Sequence, residues 1–251
     1  MNKPSSFILI GPPFSGKTRS LGTLPDRTIL FSWELEGYQS LRVPMQTCLS
    51  LRDFWKEGKP IEKVLVVDYA SKPDSIGEKK EVLLSPSGML SFIRDANSLP
   101  DHGKDYENLG IDSLSPFAKE CLDLVIALNG RNSPQIQDYR DAIGKVKEIL
   151  FKLQGLQKNF VLLAHFQAEK DEITGRSRQV PQVWGKDLPQ DILKWFSTVL
   201  QSQALSNGKG GTDYSWKTKP EGLVESLGSR LVDDLPATIP QDFEKLFGRI
   251  K

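Results

Sequence analysis

Gly11-Pro12-Pro13-Phe14-Ser15-Gly16-Lys17-Thr18 has the spacing G-x-x-x-x-G-K-T, the pattern of a loop that cradles phosphates. The setting suits it. Phe7-Ile8-Leu9-Ile10 is a short apolar run before the loop, and Thr18-Arg19-Ser20-Leu21 can open a helix after it. In such a loop the glycines let backbone N–H groups curl around a triphosphate, and the start of the helix adds partial positive charge. Lys17 is then placed to reach the β- and γ-phosphates and the Thr18 hydroxyl to hold Mg²⁺. Gly11, Pro12, Pro13, Phe14, Ser15, Gly16, Lys17 and Thr18 are the candidate nucleotide-binding residues, for ATP or GTP.

Outward from the loop, further strand-like runs stand at Thr28–Trp33, Val64–Val67, Leu109–Ile111 and Phe160–Ala164. Strands alternating with helical stretches predict an α/β fold, a mostly parallel sheet covered on both faces. Ile136, Tyr139, Ile143, Val146, Leu150 and Leu153 step by three and four, which predicts a helix from about Gln135 to Gln157 with one apolar stripe. A second helix is expected over Pro116–Leu128, stopped by Asn129-Gly130. Residues 168–186 turn polar around Thr174-Gly175 and read as an excursion or hairpin. Thr198–Leu205 and Asp213–Lys219 flank a glycine-rich tip, a second hairpin, and Asp242–Phe247 reads as a short terminal helix. With no repeat and no linker-like stretch, one domain over 1–251 is expected, its core about 5–205 and its hairpin and tail about 206–251.

Thirty-three basic against thirty-two acidic residues give a net charge of +1, which excludes a polybasic nucleic-acid binder but leaves room for a local basic groove. Cys48 and Cys121 form no disulfide framework and lack metal-ligand spacing. No apolar run approaches membrane-spanning length, and the first core strand comes too early for a signal peptide, so a cytoplasmic location is expected.

The loop needs a carboxylate at the end of a neighbouring strand to help hold Mg²⁺. Asp68 ends Val64-Leu65-Val66-Val67, and Asp112 ends Leu109-Gly110-Ile111. By pattern alone Asp68 is favoured, since a buried parallel strand should be continuously apolar. Hydrolysis also needs a group to activate water. Glu34, at the end of the second strand, and Glu36, in Glu36-Gly37, are the candidates, each set against an ordinary solvated turn residue. His165 ends Phe160–Ala164 and could sense a γ-phosphate or simply hydrogen-bond within the fold. Arg176, Arg178 and Lys186 could touch nucleic acid or a neighbouring subunit's phosphates, or be solvated loop charges. Trp184 and Trp195 are candidate base stackers or packing residues, and His102 lies in a polar stretch with no assigned role.

In this order the motifs resemble the phage-type RecA-like P-loop ATPases, an AAA-like nucleotide-binding family whose best-known members are single-strand-annealing recombinases. The likeness covers most of the chain. It rests on Gly11–Thr18, Ile111-Asp112-Ser113-Leu114-Ser115, Pro134-Gln135-Ile136-Gln137-Asp138-Tyr139, Val161–His165, Gly185-Lys186 and Leu235-Pro236-Ala237-Thr238-Ile239-Pro240. The resemblance implies a RecA-like core with a C-terminal β-hairpin. It moves the Mg²⁺ role to Asp112, with Asp68 second, and makes Glu34 the water activator and His165 the polar strand end before a DNA-facing loop. It also implies ATP and Mg²⁺ as cofactors and a DNA-stimulated ATPase. Single-stranded DNA, a homo-oligomer and a phage or host single-strand-binding protein are the implied partners, in the host cytoplasm if the gene is a phage's. Two other classes share the loop. A small-molecule or nucleotide kinase would show an arginine-rich lid after the long helix, and a nucleotide-gated assembly factor would keep Lys17 and Thr18 with little turnover.

Overall fold

The computed structural model describes residues 4–59, 62–70, 87–170, 175, 177–223 and 226–250. Its central strands are β1 (Ser6–Ile10), β2 (Thr28–Ser32), β3 (Met45–Cys48), β4 (Val64–Asp68), β5 (Asn108–Asp112) and β6 (Asn159–Ala164). A separate hairpin, β7 (Phe166–Lys170) and β8 (Ser177–Pro181), follows, and β9 (Thr198–Ser206), β10 (Thr212–Lys217), β11 (Gly228–Ser229) and β12 (Thr238–Pro240) complete the order. The sheet runs β12-β10-β9-β1-β6-β5-β2-β4-β3, with β11 on β9. From β9 to β3 every pairing is parallel, while β10, β11 and β12 are antiparallel additions at one side. One strand, β6, therefore stands between the strand that feeds the phosphate loop and the strand that ends in Asp112.

The helices are α1 (Lys17–Leu21), α2 (Leu51–Glu57), α3 (Ser87–His102), α4 (Leu114–Leu128), α5 (Ile136–Gln154), α6 (Leu188–Lys194) and α7 (Phe243–Phe247). Both sheet faces are covered, which is why β1, β2, β4, β5 and β6 are buried along almost their whole length. Alternate residues serve opposite faces. Ile8 and Ile10 join the large core under α3, α4 and α5, while Phe7 and Leu9 join a second core with Trp216, Phe243 and Leu246. Phe7 meets Phe243 and Phe247 edge-on at 5.3 and 5.5 Å, so the tail helix is pinned to the first strand.

The five expected central strands, the two hairpins and the helices over 116–128 and 242–247 all form. The long helix is Ile136–Gln154, ending at Gly155, and its expected stripe frays. Val146, Leu150 and Leu153 are buried, but Ile136 is 88% and Tyr139 37% exposed. The N-terminal turn is held by polar contacts instead: the buried Asp138 carboxylate accepts from the Gln135 N–H (2.8 Å), Asn129 (2.7 Å) and Arg131. The second hairpin extends the main sheet, because its first arm, β9, pairs with β1. His102 closes α3, a helix with Pro100 inside it, and lies 4.8 Å from Trp55. No described helix is long and apolar enough to cross a membrane.

Candidate functional site

The loop between β1 and α1 is shaped by three local rules. Pro12 and Pro13 carry no N–H, so the donors available to a phosphate lie from Phe14 onward. Gly16 stands at φ +86°, in the left-handed region, and an added Cβ would lie 2.5 Å from Gln241 Oε1 and Tyr214 Cδ1. Ser15 Oγ donates to the Pro12 carbonyl at 2.8 Å and pins the curl. Because α1 spans only Lys17–Leu21, the cradle depends on these nearby N–H groups more than on a long helix dipole.

Four strand ends converge on that loop. Lys17 Nζ donates to the carbonyls of Gly11 (2.9 Å) and Pro12 (2.8 Å). Thr18 Oγ1 donates to Asp112 Oδ2 at 2.7 Å. His165 Nε2 lies 2.9 Å from Glu34 Oε1, and His165 Nδ1 lies 3.5 Å from Lys17 Nζ. Ser113 Oγ donates to the same Glu34 oxygen. The histidine tautomer follows from its neighbours. A carboxylate only accepts and an ammonium only donates, so Nε2 carries the proton and Nδ1 receives from Lys17.

Burial sets the protonation of this cluster. It pushes the Lys17 ammonium down to about 8, against the attraction of Asp112 and Glu34. Burial, aided by the Glu34 charge, pushes Asp112 up to about 6. The His165 hydrogen bond holds Glu34 below the usual carboxylate range. One carboxylate is thus kept as a ready acceptor while its neighbour is costly to ionise.

The two aspartates separate by position. β5 lies two strands from β1 and β4 lies four. At about 4.8 Å per strand, Asp112 can meet Thr18 and Asp68 stands roughly 19 Å along the sheet. Asp68 instead accepts from Tyr38 Oη (3.2 Å) and the Ala70 N–H (2.9 Å). Thr18 and Asp112 offer a hydroxyl and a carboxylate oxygen side by side, the hard donors that Mg²⁺ takes alongside phosphate and water. The donor set fits that ion. Glu36 is exposed at φ +55°, at the start of a 3₁₀ turn over Gly37–Leu41, so Glu34 alone of the two glutamates faces the cluster.

The remaining candidates lie elsewhere. Arg178, on β8, pairs with Glu169 across the hairpin at 2.9 Å, and Lys186 is exposed beyond it. Arg176 and Thr174 lie outside the described residues. Trp184 packs edge-on against Tyr139 at 5.7 Å and Trp195 against Phe151 at 5.4 Å.

Sequence reasoning assigned no role to Ser113, although it follows Asp112 directly. It also missed the far wall of the site. Arg19 lies 4.6 Å above the Tyr214 ring, and Gln241 Nε2 donates to the Ser15 (2.8 Å), Ser215 (2.9 Å) and Gln203 (3.3 Å) carbonyls. Beside them a cavity of about 770 Å³ opens against α1, lined among others by Arg19, Thr23, Arg42 and Tyr214. Its size suits a base and ribose. These residues come from opposite ends of the chain, and no local pattern marks their meeting.

A family model described as an AAA domain matches residues 3–225. No curated protein matches. Among solved structures, the chain is similar to the flagellar accessory protein FlaH of Methanocaldococcus jannaschii at 12% identity and a TM-score of 0.42, covering 86% of this chain and 78% of that one. It is also similar to a KaiC-like protein of Pyrococcus horikoshii OT3, at 10% identity and a TM-score of 0.46, covering 95% and 85%. At these scores and identities neither likeness bears on function.

Proposed function

This chain belongs to the AAA domain family, and from that membership, together with the likeness of its motifs to the phage RecA-like ATPases, we propose that it is a Mg²⁺-dependent ATPase acting on single-stranded DNA in phage recombination or replication. The convergence of Lys17, Thr18, Asp112, Glu34 and His165 at four neighbouring strand ends carries the ATPase reading. Loop N–H groups and Lys17 bind the triphosphate, and the base and ribose enter the cavity beside Arg19 and Tyr214. Thr18 and Asp112 would hold Mg²⁺, which when bound would neutralise charge developing on the phosphates. Glu34, held ionised by His165 and Ser113, accepts a proton from the attacking water.

His165 is a positioning residue. Its ring bridges Lys17 to Glu34, and its carbonyl accepts from the Gln182 N–H at 2.8 Å, at the foot of the β7–β8 hairpin. A change at the γ-phosphate thereby has a direct mechanical route into that hairpin. This supports the DNA reading, with Arg178 and Lys186 as candidate contacts and a homo-oligomer or a single-strand-binding protein as further partners. The kinase reading is the second choice, because residues 168–186 carry two close arginines but no clear lid pattern.

The test is steady-state ATP hydrolysis with and without single-stranded DNA, with Lys17→Ala as the blank. Turnover that needs Mg²⁺ and rises with DNA is expected. Turnover indifferent to DNA removes the recombination role and leaves the ATPase.

A further inference from the structure

A second site lies away from the phosphate loop. A cavity of about 420 Å³ opens where β8, the end of α6, the start of β9 and β11 meet, lined by Arg178, Gln190, Lys194, Ser197, Ser229 and Arg230 among others. The register sets the start of β9 beside Phe7, so the cavity stands about four residues, roughly 13 Å, down the sheet from Gly11. Its volume lies in the range that holds one small ligand such as a nucleotide.

Its electrostatics are uneven. Arg178 faces Glu169 at 2.9 Å and Lys194 faces Asp191 at 2.6 Å, but Arg230 has no carboxylate partner among the described residues and donates to the Lys194 carbonyl at 3.2 Å. Trp195 sits between Lys194 and Phe196, both of which line the cavity. Its ring meets Phe151 edge-on at 5.4 Å, an aromatic that is 43% exposed on an otherwise polar helix face. Lys147 Nζ lies 5.5 Å from the Phe151 ring and 5.8 Å from the Trp195 ring, again with no carboxylate partner among the described residues. Lys147 and Phe151 are four apart on α5, so they share one face.

We propose that this strip binds single-stranded DNA, seating one nucleotide in the Arg178–Lys194–Arg230 cavity and stacking a neighbouring base on Phe151. The inference rests on the single-strand reading above and gives the strand a path on the surface. Arg230 and Lys147, without carboxylate partners among the described residues, suit a phosphodiester backbone, and an exposed ring beside a cation suits an unpaired base. A paired duplex cannot present its base faces to Phe151. The strip is also wired to the nucleotide site. β8 runs from Arg178 to Pro181, which pairs with Phe166 next to His165.

The test is fluorescence anisotropy of a labelled oligothymidylate with the full chain over a series of salt concentrations. Phe151→Ala is expected to weaken binding about tenfold, within the range of one lost base stack, while Phe151→Tyr binds as the parent does. Arg230→Glu is expected to weaken binding and lower the slope of log affinity against log salt by about one. ATP affinity and DNA-free hydrolysis should be unchanged in all three, which reports intact folding. Parent-like binding by the Phe151→Ala, Arg230→Glu double variant overturns the site and leaves the single-strand reading standing. Binding lost only in Lys186→Ala moves the strand to the loop and likewise overturns it. A parent chain that binds no oligothymidylate overturns both.

Discussion

Lys17 and Asp112 are buried charges whose surroundings favour their neutral forms, so the candidate site works against the fold that holds it. The folded chain holds the Lys17 proton less tightly than the unfolded chain does. Stability attributable to Lys17 therefore rises with pH from about 8 to the ordinary lysine range, and is missing at neutrality. In buffer without nucleotide or Mg²⁺, Lys17→Met is expected to raise stability at pH 7 by about 1–2 kcal/mol, read by denaturant titration, while abolishing ATP binding. Asp112 has the opposite sense. Its raised value means that the folded chain binds the proton more tightly, so its contribution is present below about pH 4 and lost as pH climbs through about 6. Asp112→Asn should therefore gain on the parent across that window, by up to about 3 kcal/mol above it, and thermal melts at stepped pH would show it. An Asp112→Asn curve parallel to the parent's at every pH would contradict this.

Among the elements, β5 shows how the sequence both reveals and hides the site. Phosphate loop, strand and short helix were legible from residues 7–21, because each step there is a local constraint on φ, donors and apolar period. The choice between β4 and β5 was not local. β4 reads as the better buried strand, and β5 looks interrupted because Gly110 breaks its apolar run. The structure gives the reason for that glycine: an added Cβ would lie 3.0 Å from Leu30 Cδ1 and 3.5 Å from Leu21 Cδ1. Leu21 belongs to α1, so the weakness of the strand pattern is what lets the loop helix settle onto the sheet beside Asp112. Gly110→Val is expected to destabilise the chain by about 1–3 kcal/mol and to weaken ATP binding through displacement of α1, checked by denaturation and by nucleotide titration. Ile136 and Tyr139 illustrate the opposite failure. Their helical spacing was sound, but only tertiary packing decides how far along a helix the sheet extends to cover it.

Across the whole molecule, the sheet order turns one histidine into a junction. β6 lies between β1 and β5, so His165 at its end touches the loop lysine on one side and Glu34 beyond β5 on the other, with the β7–β8 hairpin leaving directly from it. Under the proposed function, His165→Ala should retain ATP and single-stranded DNA binding yet lose most of the stimulation of hydrolysis by DNA. Parallel ATPase and anisotropy titrations measure the two properties separately, and undiminished stimulation would remove His165 from the route. The far wall of the nucleotide site has another consequence. Ser15 is held by Gln241, a residue 226 positions later. At 5–20 residues per second, a ribosome needs roughly 10–45 s to cover that interval. Throughout it the nascent loop lacks the hairpin and tail that close over Gly16, and β1 waits for β9 as a neighbour. The phosphate loop is thus translated long before the residues that complete its far wall, and its final shape is set only once Gln241 has joined the fold.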